Sequence, residues 1–177
     1  KDADGIILPG VGAFGNAIKN LQKLNFIESI KDKVINQKVP LLGICLGMQL
    51  LASWGHELGL ESENDRVRGL GLIEGEVRKL NFLGCLERIP HVGWNGLVDL
   101  QSHEIFEGIE ENTDFYFVHS YAFIPKNKKH LLAIAEYSSK IPAVVAKDKI
   151  WGVQFHPEKS SKAGSQIIKN FFNLKVC

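Results

Sequence analysis

The chain has few cysteines, almost no excess charge and no long hydrophobic run. Its 177 residues include three cysteines, Cys45, Cys85 and Cys177, and no Cys-x-x-Cys pair. This excludes a disulfide framework and predicts free thiols in a reducing, cytoplasmic setting. Lys and Arg number 21 against 20 Asp and Glu, which argues against nucleic-acid or membrane-surface partners. The apolar runs fall far short of the roughly 20 residues that span a membrane.

The composition predicts one globular domain over residues 1–177. Hydrophobic residues make up 45% of the chain and charged residues 23%, which is ordinary globular usage and excludes a disordered chain. A chain of this length buries enough surface to form a core without disulfides or metals. It begins at Lys1 without a Met and enters an apolar run almost at once. We therefore expect a domain that is incomplete at its N-terminus.

Short apolar runs that end near Gly or Pro predict buried strands. They cover residues 5–8, 40–44, 115–118, 131–135, 143–146 and 150–155. Apolar spacing predicts helices over 26–34 and 163–172 and a short helix after Gly47. Strands alternate with helices early and dominate later, which favours an α/β three-layer sandwich with a mostly parallel central sheet. Ligands bind beyond the carboxyl ends of strands in such sheets, so the residues just after each run are candidates for a site.

One cysteine lies in a sharp strand-to-helix turn. The segment Gly43-Ile-Cys-Leu-Gly47 follows an apolar strand and leads into helix-forming residues. This is the layout of a nucleophile elbow, with Cys45 where hydrolases carry serine. We expect the helix N-terminus to lower the pKa of the Cys45 thiol and to direct N–H groups at a developing oxyanion. Cys85 and Cys177 lack such surroundings and are predicted to be structural.

A thiol nucleophile needs a base, and His156 is the best candidate. It follows the strand over 150–155, and Glu158 comes two residues later. In extended backbone, residues i and i+2 point to the same side, so the Glu158 carboxylate can reach the His156 ring. Cys45, His156 and Glu158 therefore form a predicted triad. Of the other histidines, His119 ends an apolar run and is expected to line a pocket, and His91 is expected in the core or at an interface.

A glycine-rich loop follows the first strand. Gly10-x-Gly12-x-x-Gly15 matches the dinucleotide-binding fingerprint. That match is weak, because no acidic residue follows at the end of a second strand about 20 residues on, and Glu28 lies inside a helical pattern. The alternative is a loop whose exposed N–H groups bind an oxyanion or an amide substrate.

Five segments together carry a family resemblance. They read Leu-Pro-Gly-Val-Gly-Ala-Phe-Gly at 8–15, Gly-Ile-Cys-Leu-Gly-Met-Gln at 43–49, Pro-His-Val-Gly-Trp-Asn at 90–95, Tyr-Phe-Val-His-Ser-Tyr at 116–121 and Gly-Val-Gln-Phe-His-Pro-Glu-Lys-Ser at 152–160. The chain resembles the class I (triad) glutamine amidotransferases over essentially its whole length. Within that family it is similar to the glutaminase subunits of imidazole glycerol phosphate synthase.

The resemblance implies a flavodoxin-like fold, of which this chain lacks the first strand and helix, and a reaction without a metal or organic cofactor. It implies that Cys45 attacks the side-chain amide of L-glutamine, that His156 protonates the departing ammonia and that Glu158 orients His156. Its oxyanion hole would comprise the N–H of Leu46 and an N–H of Val11 or Gly12. The residues that would hold the amino-acid end of the substrate are Gly10, Gln49, His119, Ser120 and Tyr121.

The resemblance also implies a partner. In a heterodimer, Trp94, Tyr116 and Lys159 would face a (β/α)8 synthase (cyclase) subunit, which uses the ammonia to make imidazole glycerol phosphate and AICAR in histidine biosynthesis. An alternative that the motifs leave open is a paralogous glutaminase that feeds a synthase-like barrel in amidino-sugar biosynthesis, for surface polysaccharide or flagellar glycan. A stand-alone γ-glutamyl hydrolase or peptidase is a further alternative. A non-catalytic scaffold is disfavoured because the complete triad is present.

Overall fold

A computed structural model describes residues 3–56 and 66–174, so Cys177 lies outside the described residues. The strands are β1 Ile6–Gly10, β2 Leu41–Cys45, β3 Trp54–Gly55, β4 Val67–Arg68, β5 Gly75–Lys79, β6 His91–Val98, β7 Asp114–His119, β8 Tyr121–Pro125, β9 Leu131–Glu136, β10 Lys140–Lys147 and β11 Ile150–Val153. The α-helices are α1 Phe14–Lys23, α2 Phe26–Lys31, α3 Leu46–Leu50 and α4 Ser161–Leu174, and a π-helical turn at Asp32–Asn36 continues α2. Short 3-10 turns cover Leu80–Leu83, Glu104–Phe106, Lys128–His130 and Pro157–Lys159.

The strands form a large sheet and a small one. The seven-stranded sheet has the order β1-β2-β11-β10-β9-β6-β7, and the four-stranded sheet has the order β4-β3-β5-β8. The α/β class is confirmed, but the expected mostly parallel sheet is wrong. Only β1, β2 and β11 are parallel neighbours in the large sheet, and every pair from β11 to β7 is antiparallel. Parallel pairs need long crossovers, whereas short turns such as 137–139 and 148–149 join the later strands.

The core lies on both faces of the large sheet. Leu41 and Leu42 are adjacent in β2 and both fully buried, and they face opposite sides of the sheet. Leu42 belongs to a cluster with Phe171 of α4, and Leu41 to a cluster with Phe14 of α1 and Met48 of α3. This gives the three layers that the sequence predicts. It also explains why the β2 sequence is apolar without alternation.

The six predicted strands and three predicted helices are all present within a few residues of their expected bounds. The sequence did not predict β3, β4, β5, β6 or β8. β3 and β4 have two residues each, and most residues of β5 and β6 are polar, glycine or only partly buried. β8 is a mostly buried strand whose apolar run was overlooked. Over the described ranges, none of the helices has the length and apolar character needed to cross a bilayer.

Candidate active site

The turn between β2 and α3 holds Cys45 in a strained backbone conformation. Its φ is 52° and its ψ is −109°, a region that costs a residue with a Cβ about 1–3 kcal/mol. The turn is also closely packed. A Cβ at Gly47 would lie 1.7 Å from the carbonyl oxygen of Leu8, and one at Gly43 would lie 2.6 Å from that of Gly47. Glycine is therefore required on both sides of Cys45, as a nucleophile elbow demands.

Cys45 opens into a cavity of about 330 Å³ at the carboxyl ends of β1 and β2. The lining residues are Val11, Gly12, Cys45, Leu46, Gln49, Pro90, Val118, His119, Ser120, Tyr121 and His156. The fold thus brings together all but two of the residues expected for catalysis, oxyanion binding and substrate binding. Gly10 pairs in register with Cys45 but does not line the cavity. Glu158 lies behind His156.

His156 is held so that one ring nitrogen is available to act as a base. Its Nδ1 lies 2.7 Å from Oε1 of Glu158, and because a carboxylate accepts, Nδ1 carries the proton. In the neutral ring the lone pair is then on Nε2, and this atom is buried and without a hydrogen-bond partner among the described residues. The backbone is fixed as well. His156 N–H donates to the carbonyl of Tyr116 at 2.9 Å, and the Ser160 hydroxyl donates to the carbonyl of His156 at 2.6 Å.

The Cys45 thiol is less acidic than the sequence predicted. Its pKa is raised to about 11: burial is the largest cause and the nearby Glu158 charge adds to it, while the N–H of Leu46, the side chain of Gln154 and the charge of Lys159 act in the opposite direction. The expectation that the helix N-terminus makes this thiol acidic is wrong, because loss of water around the sulfur outweighs the N–H groups. The sulfur therefore carries its proton at neutral pH and needs a base to remove it.

A hydrogen-bonded network of polar side chains adjoins the cavity, and two of its bonds end at the carbonyl of Tyr121. Nε2 of Gln49 donates at 3.0 Å to the carbonyl of Tyr121 and at 3.0 Å to Oε1 of Gln154. Nδ1 of His119 donates to the same carbonyl at 2.8 Å. Nε2 of His119 lies 3.1 Å from Nδ1 of His91. Burial lowers the pKa of His119 to about 3 and that of His91 to about 4, so both are neutral at physiological pH.

These bonds change what His119 can do. Because the carbonyl only accepts, Nδ1 of His119 holds the proton, and its Nε2 accepts from Nδ1 of His91. Both ring nitrogens of His119 are thus occupied within the protein, and neither is free for the substrate. His119 lines the cavity as expected, but as a ring whose orientation is fixed from behind.

Sequence reasoning missed Gln154. This side chain is fully buried, and its Nε2 lies 3.7 Å from Sγ of Cys45. The extended segment expected through Glu158 is wrong, because Pro157–Lys159 form a 3-10 turn and Gln154 lies in a bend after β11. The position of Gln154 just beyond a buried strand was the available signal. Pro90 and Val118 were also missed as lining residues, because β6 and β7 bring them to the cavity from distant parts of the chain.

The three residues expected at a partner interface lie side by side. Trp94 is 53% exposed, and its ring meets that of Tyr116 edge-on with centroids 6.0 Å apart. The ammonium of Lys159 lies 5.7 Å from the centre of the Tyr116 ring. Val92, 54% exposed, lies two residues before Trp94 on the same face of β6 and pairs with Val118. We call Val92, Trp94, Tyr116 and Lys159 the Trp94 surface, and it extends to the cavity at Val118.

No group of three or more His, Cys, Asp or Glu side chains within 3–56 and 66–174 is arranged to hold a metal ion.

The model of the family described as glutamine amidotransferase class-I matches residues 1–174. The chain belongs to the class I glutamine amidotransferases. It is therefore an enzyme of that family, and the resemblance that the motifs indicated is confirmed.

Curated relatives within this family are similar to the chain over nearly all of its length. A protein named imidazole glycerol phosphate synthase subunit HisH 1 from Campylobacter jejuni strain 81-176 is 46% identical over 174 residues, or 98% of this chain and 83% of the relative. A HisH subunit from Pelagibacter ubique is 42% identical over 98% of this chain and 81% of the relative.

Solved structures share the fold of this chain at lower identity. A crystal structure described as a glutamine amidotransferase is 19% identical to this chain and has a TM-score of 0.71, over 98% of this chain and 80% of that one. PurLQS from Thermotoga maritima is 17% identical with a TM-score of 0.66, over 98% and 80% of the two chains.

Proposed function

We propose that this chain is a glutaminase subunit that hydrolyses L-glutamine to glutamate and ammonia with Cys45, His156 and Glu158 as its triad. One observation carries the proposal. Nε2 of His156 is buried and without a hydrogen-bond partner in the described structure, and it shares a cavity with the Cys45 sulfur. Nδ1 of the same ring is held by Glu158. A protonated thiol and a fixed, available imidazole are the two groups that thiol-based acyl transfer needs.

In the first half of the reaction, Cys45 attacks the side-chain carbonyl carbon of glutamine. The thiol proton passes to Nε2 of His156 as the C–S bond forms, and the carbonyl oxygen becomes an oxyanion. His156 then gives that proton to the amide nitrogen, and ammonia leaves as the C–N bond breaks. Glu158 favours this sequence because its carboxylate stabilises the imidazolium that forms in between.

In the second half, water hydrolyses the glutamyl thioester. His156 removes a proton from the water, the C–S bond breaks, and the sulfur recovers its proton from the imidazolium. The oxyanion forms again, stabilised by the N–H of Leu46 with that of Val11 or Gly12. Gly12 has a φ of 96° and Val11 is 81% exposed, which supports a loop whose peptide units can take more than one orientation.

The amino-acid end of glutamine binds on the Tyr121 side of the cavity. Both N–H groups of the Gln49 amide are used within the protein, so Gln49 offers its oxygen, which suits the α-ammonium group of the substrate. Ser120 and Tyr121 line the same side. His119 contributes by holding the Tyr121 carbonyl rather than by contacting the substrate through its nitrogens.

The ammonia acceptor is a (β/α)8 synthase subunit that docks on the Trp94 surface, and the complex makes imidazole glycerol phosphate and AICAR. The HisH names of relatives 42–46% identical to this chain support this pathway. The exposed aromatic pair of Trp94 and Tyr116 also supports docking, because exposed Trp and Tyr are enriched at protein interfaces. The ammonia would then leave the cavity into the partner instead of into water.

Steady-state glutaminase kinetics with and without the barrel subunit and its nucleotide substrate test this function. We expect basal turnover at least ~10²-fold below that of the complex, mostly through kcat, because one oxyanion-hole donor contributes about 10²–10³ in kcat. The complex should convert the ammonia into imidazole glycerol phosphate and AICAR. Equal turnover with and without the partner would favour a stand-alone hydrolase. Stimulation without imidazole glycerol phosphate would favour the amidino-sugar pathway.

A further inference from the structure

The Gln154 amide has one orientation, which is set by a carbonyl group far from it in sequence. The carbonyl of Tyr121 only accepts hydrogen bonds, so the Gln49 amide must turn its nitrogen toward it. The second N–H of Gln49 then donates to Gln154, which must present its oxygen. The nitrogen of Gln154 is left facing the Cys45 sulfur at 3.7 Å. Which group donates in each of these three bonds therefore follows from the Tyr121 carbonyl, which can only accept.

Burial keeps this orientation in place. Gln154 is fully buried and Gln49 is 6% exposed, so neither amide can exchange its partners for bulk water. The backbone N–H of Gln154 donates to the carbonyl of Ala143 at 2.8 Å, which fixes the segment that carries the side chain. A reversed Gln154 amide would place its nitrogen against the nitrogen of Gln49, so that two donors face each other, and would remove the donor from the sulfur at the other end.

The partner of this donor changes charge during the reaction. A neutral thiol is a weak acceptor, whereas a thiolate accepts as a charged group, and hydrogen bonds to charged groups are roughly twice as strong as neutral ones. An N–H aimed at the sulfur therefore stabilises the charged sulfur more than the resting thiol. An interaction that strengthens as charge develops accelerates the reaction rather than merely supporting the fold.

We propose that Gln154 is a catalytic residue that donates its side-chain N–H to the Cys45 sulfur and stabilises the negative charge that develops there, a role that rests on the proposed function of Cys45 as the nucleophile. The N–H acts twice. It stabilises the sulfur as the thiol proton passes to His156, and again as the C–S bond of the thioester breaks and the electron pair returns to sulfur. Gln154 itself transfers no proton.

The test compares Gln154→Met, which keeps side-chain length but removes the donor, with the wild-type full chain. The readout is the pH dependence of Cys45 alkylation by iodoacetamide, followed by peptide mass mapping. Cys85 serves as an internal control, because its thiol bonds to the carbonyl of Tyr137 at 3.3 Å, away from Gln154. We expect Cys45 alkylation to slow about tenfold at each pH, with its half-point about one pH unit higher, and Cys85 alkylation to be unchanged.

Glutamine hydrolysis gives the second readout. We expect kcat to fall about 10- to 100-fold in Gln154→Met, as for the loss of one hydrogen bond to a charged group, with KM within about threefold. A purely structural role would instead loosen the site, so that Cys45 is alkylated faster or KM rises with the fall in kcat. Gln154→Asn keeps an amide one methylene further from the sulfur, so its Cys45 alkylation rate and kcat should lie between those of the wild type and Gln154→Met. Gln154→Asn decides the question if Gln154→Met fails to fold.

Cys45→Ala separates failure of this inference from failure of the proposed function. If Cys45→Ala retains glutamine hydrolysis, Cys45 is not the nucleophile and the proposed function fails. If Cys45→Ala is inactive while the Gln154 variants keep the wild-type alkylation profile and kcat, the role of Gln154 is overturned and the triad stands.

Discussion

Nδ1 of His156 lies 2.7 Å from a carboxylate oxygen of Glu158, and the two residues differ sharply in burial. The His156 side chain is 5% exposed and that of Glu158 is 57% exposed. The carboxylate therefore keeps much of its hydration while fixing the tautomer of a buried ring. Because water still solvates Glu158, its bond to His156 contributes little to folding, and its value lies in which nitrogen of His156 carries the proton.

Glu158→Gln should lower activity far more than stability. The amide retains the shape of the side chain but can stabilise the wrong imidazole tautomer. The corresponding change in a serine triad costs about 10⁴ in kcat, and a thiol ionises more easily, so we expect a loss of about 10–10³. Steady-state kinetics and urea unfolding would measure the two effects. Glu107→Gln, at an exposed glutamate outside the cavity, is the matched control, and equal activities of the two variants would remove Glu158 from the triad.

The Cys45 thiol should react with simple alkylating agents mainly at high pH. Burial raises its pKa to about 11, so the thiolate is scarce at neutral pH and iodoacetamide alkylation should rise about tenfold per pH unit below that value. A diazo-ketone analogue of glutamine should nevertheless label Cys45 at neutral pH, because the bound analogue lets His156 take the proton. His156→Gln should abolish this labelling. Labelling of Cys85 instead of Cys45 would refute the assignment.

Gly47→Ala should unfold the turn that carries Cys45. The new Cβ would lie 1.7 Å from the carbonyl oxygen of Leu8, and backbone cannot move away cheaply, so we expect a loss of about 3 kcal/mol or more with no measurable activity. Gly15→Ala is the matched control. Its Cβ would meet only a methyl group of Val67 at 3.6 Å, and within α1 alanine should be neutral or stabilise by up to about 1 kcal/mol. Urea unfolding midpoints of Gly47→Ala, Gly15→Ala and the wild type measure these differences in stability.

Mild acid should destabilise the fold through His91 and His119. Burial lowers their pKa values to about 4 and about 3, against 6.5 for an ordinary histidine. Between those values the unfolded chain binds more protons than the folded one, so stability falls as pH drops below about 6.5 and levels off only near pH 3–4. Unfolding midpoints at pH 7.5 and 5.0 measure this slope. His91→Gln should reduce it.

Trp94→Ala should weaken binding of the barrel subunit. Trp94 is 53% exposed and packs edge-on against Tyr116, and truncating a central interface tryptophan costs about 2 kcal/mol, or roughly 30-fold in Kd. Leu24→Ala removes an apolar side chain of 60% exposure at the end of α1 and should leave the Kd unchanged. Isothermal titration with the barrel subunit measures both. Equal affinities would move the interface away from the Trp94 surface.

Several features of the fold and site were predictable because they depend on neighbours in the sequence. An apolar run between Gly or Pro residues specifies a buried strand whichever strand it pairs with, and β2 is an example. The spacing of Gly43, Cys45 and Gly47 specifies a tight turn. The separation of two residues keeps Glu158 within reach of His156, although a 3-10 turn at Pro157–Lys159 makes the contact instead of the expected extended segment. Each of these inferences uses only backbone geometry over a few residues.

Other features were decided by contacts between residues distant in sequence. The antiparallel half of the large sheet and the strands β5 and β6 depend on pairing partners, such as Trp94 opposite Tyr116, that no local pattern reveals. The acidity of the Cys45 thiol depends on how completely the surrounding strands exclude water. The direction of the Gln154 amide depends on a carbonyl at Tyr121, which reaches it only through Gln49. The sequence therefore determined the nucleophile turn and most of the groups that line the cavity, whereas tertiary packing brought Pro90, Val118 and Gln154 to it and decided which groups carry protons and which are already bonded.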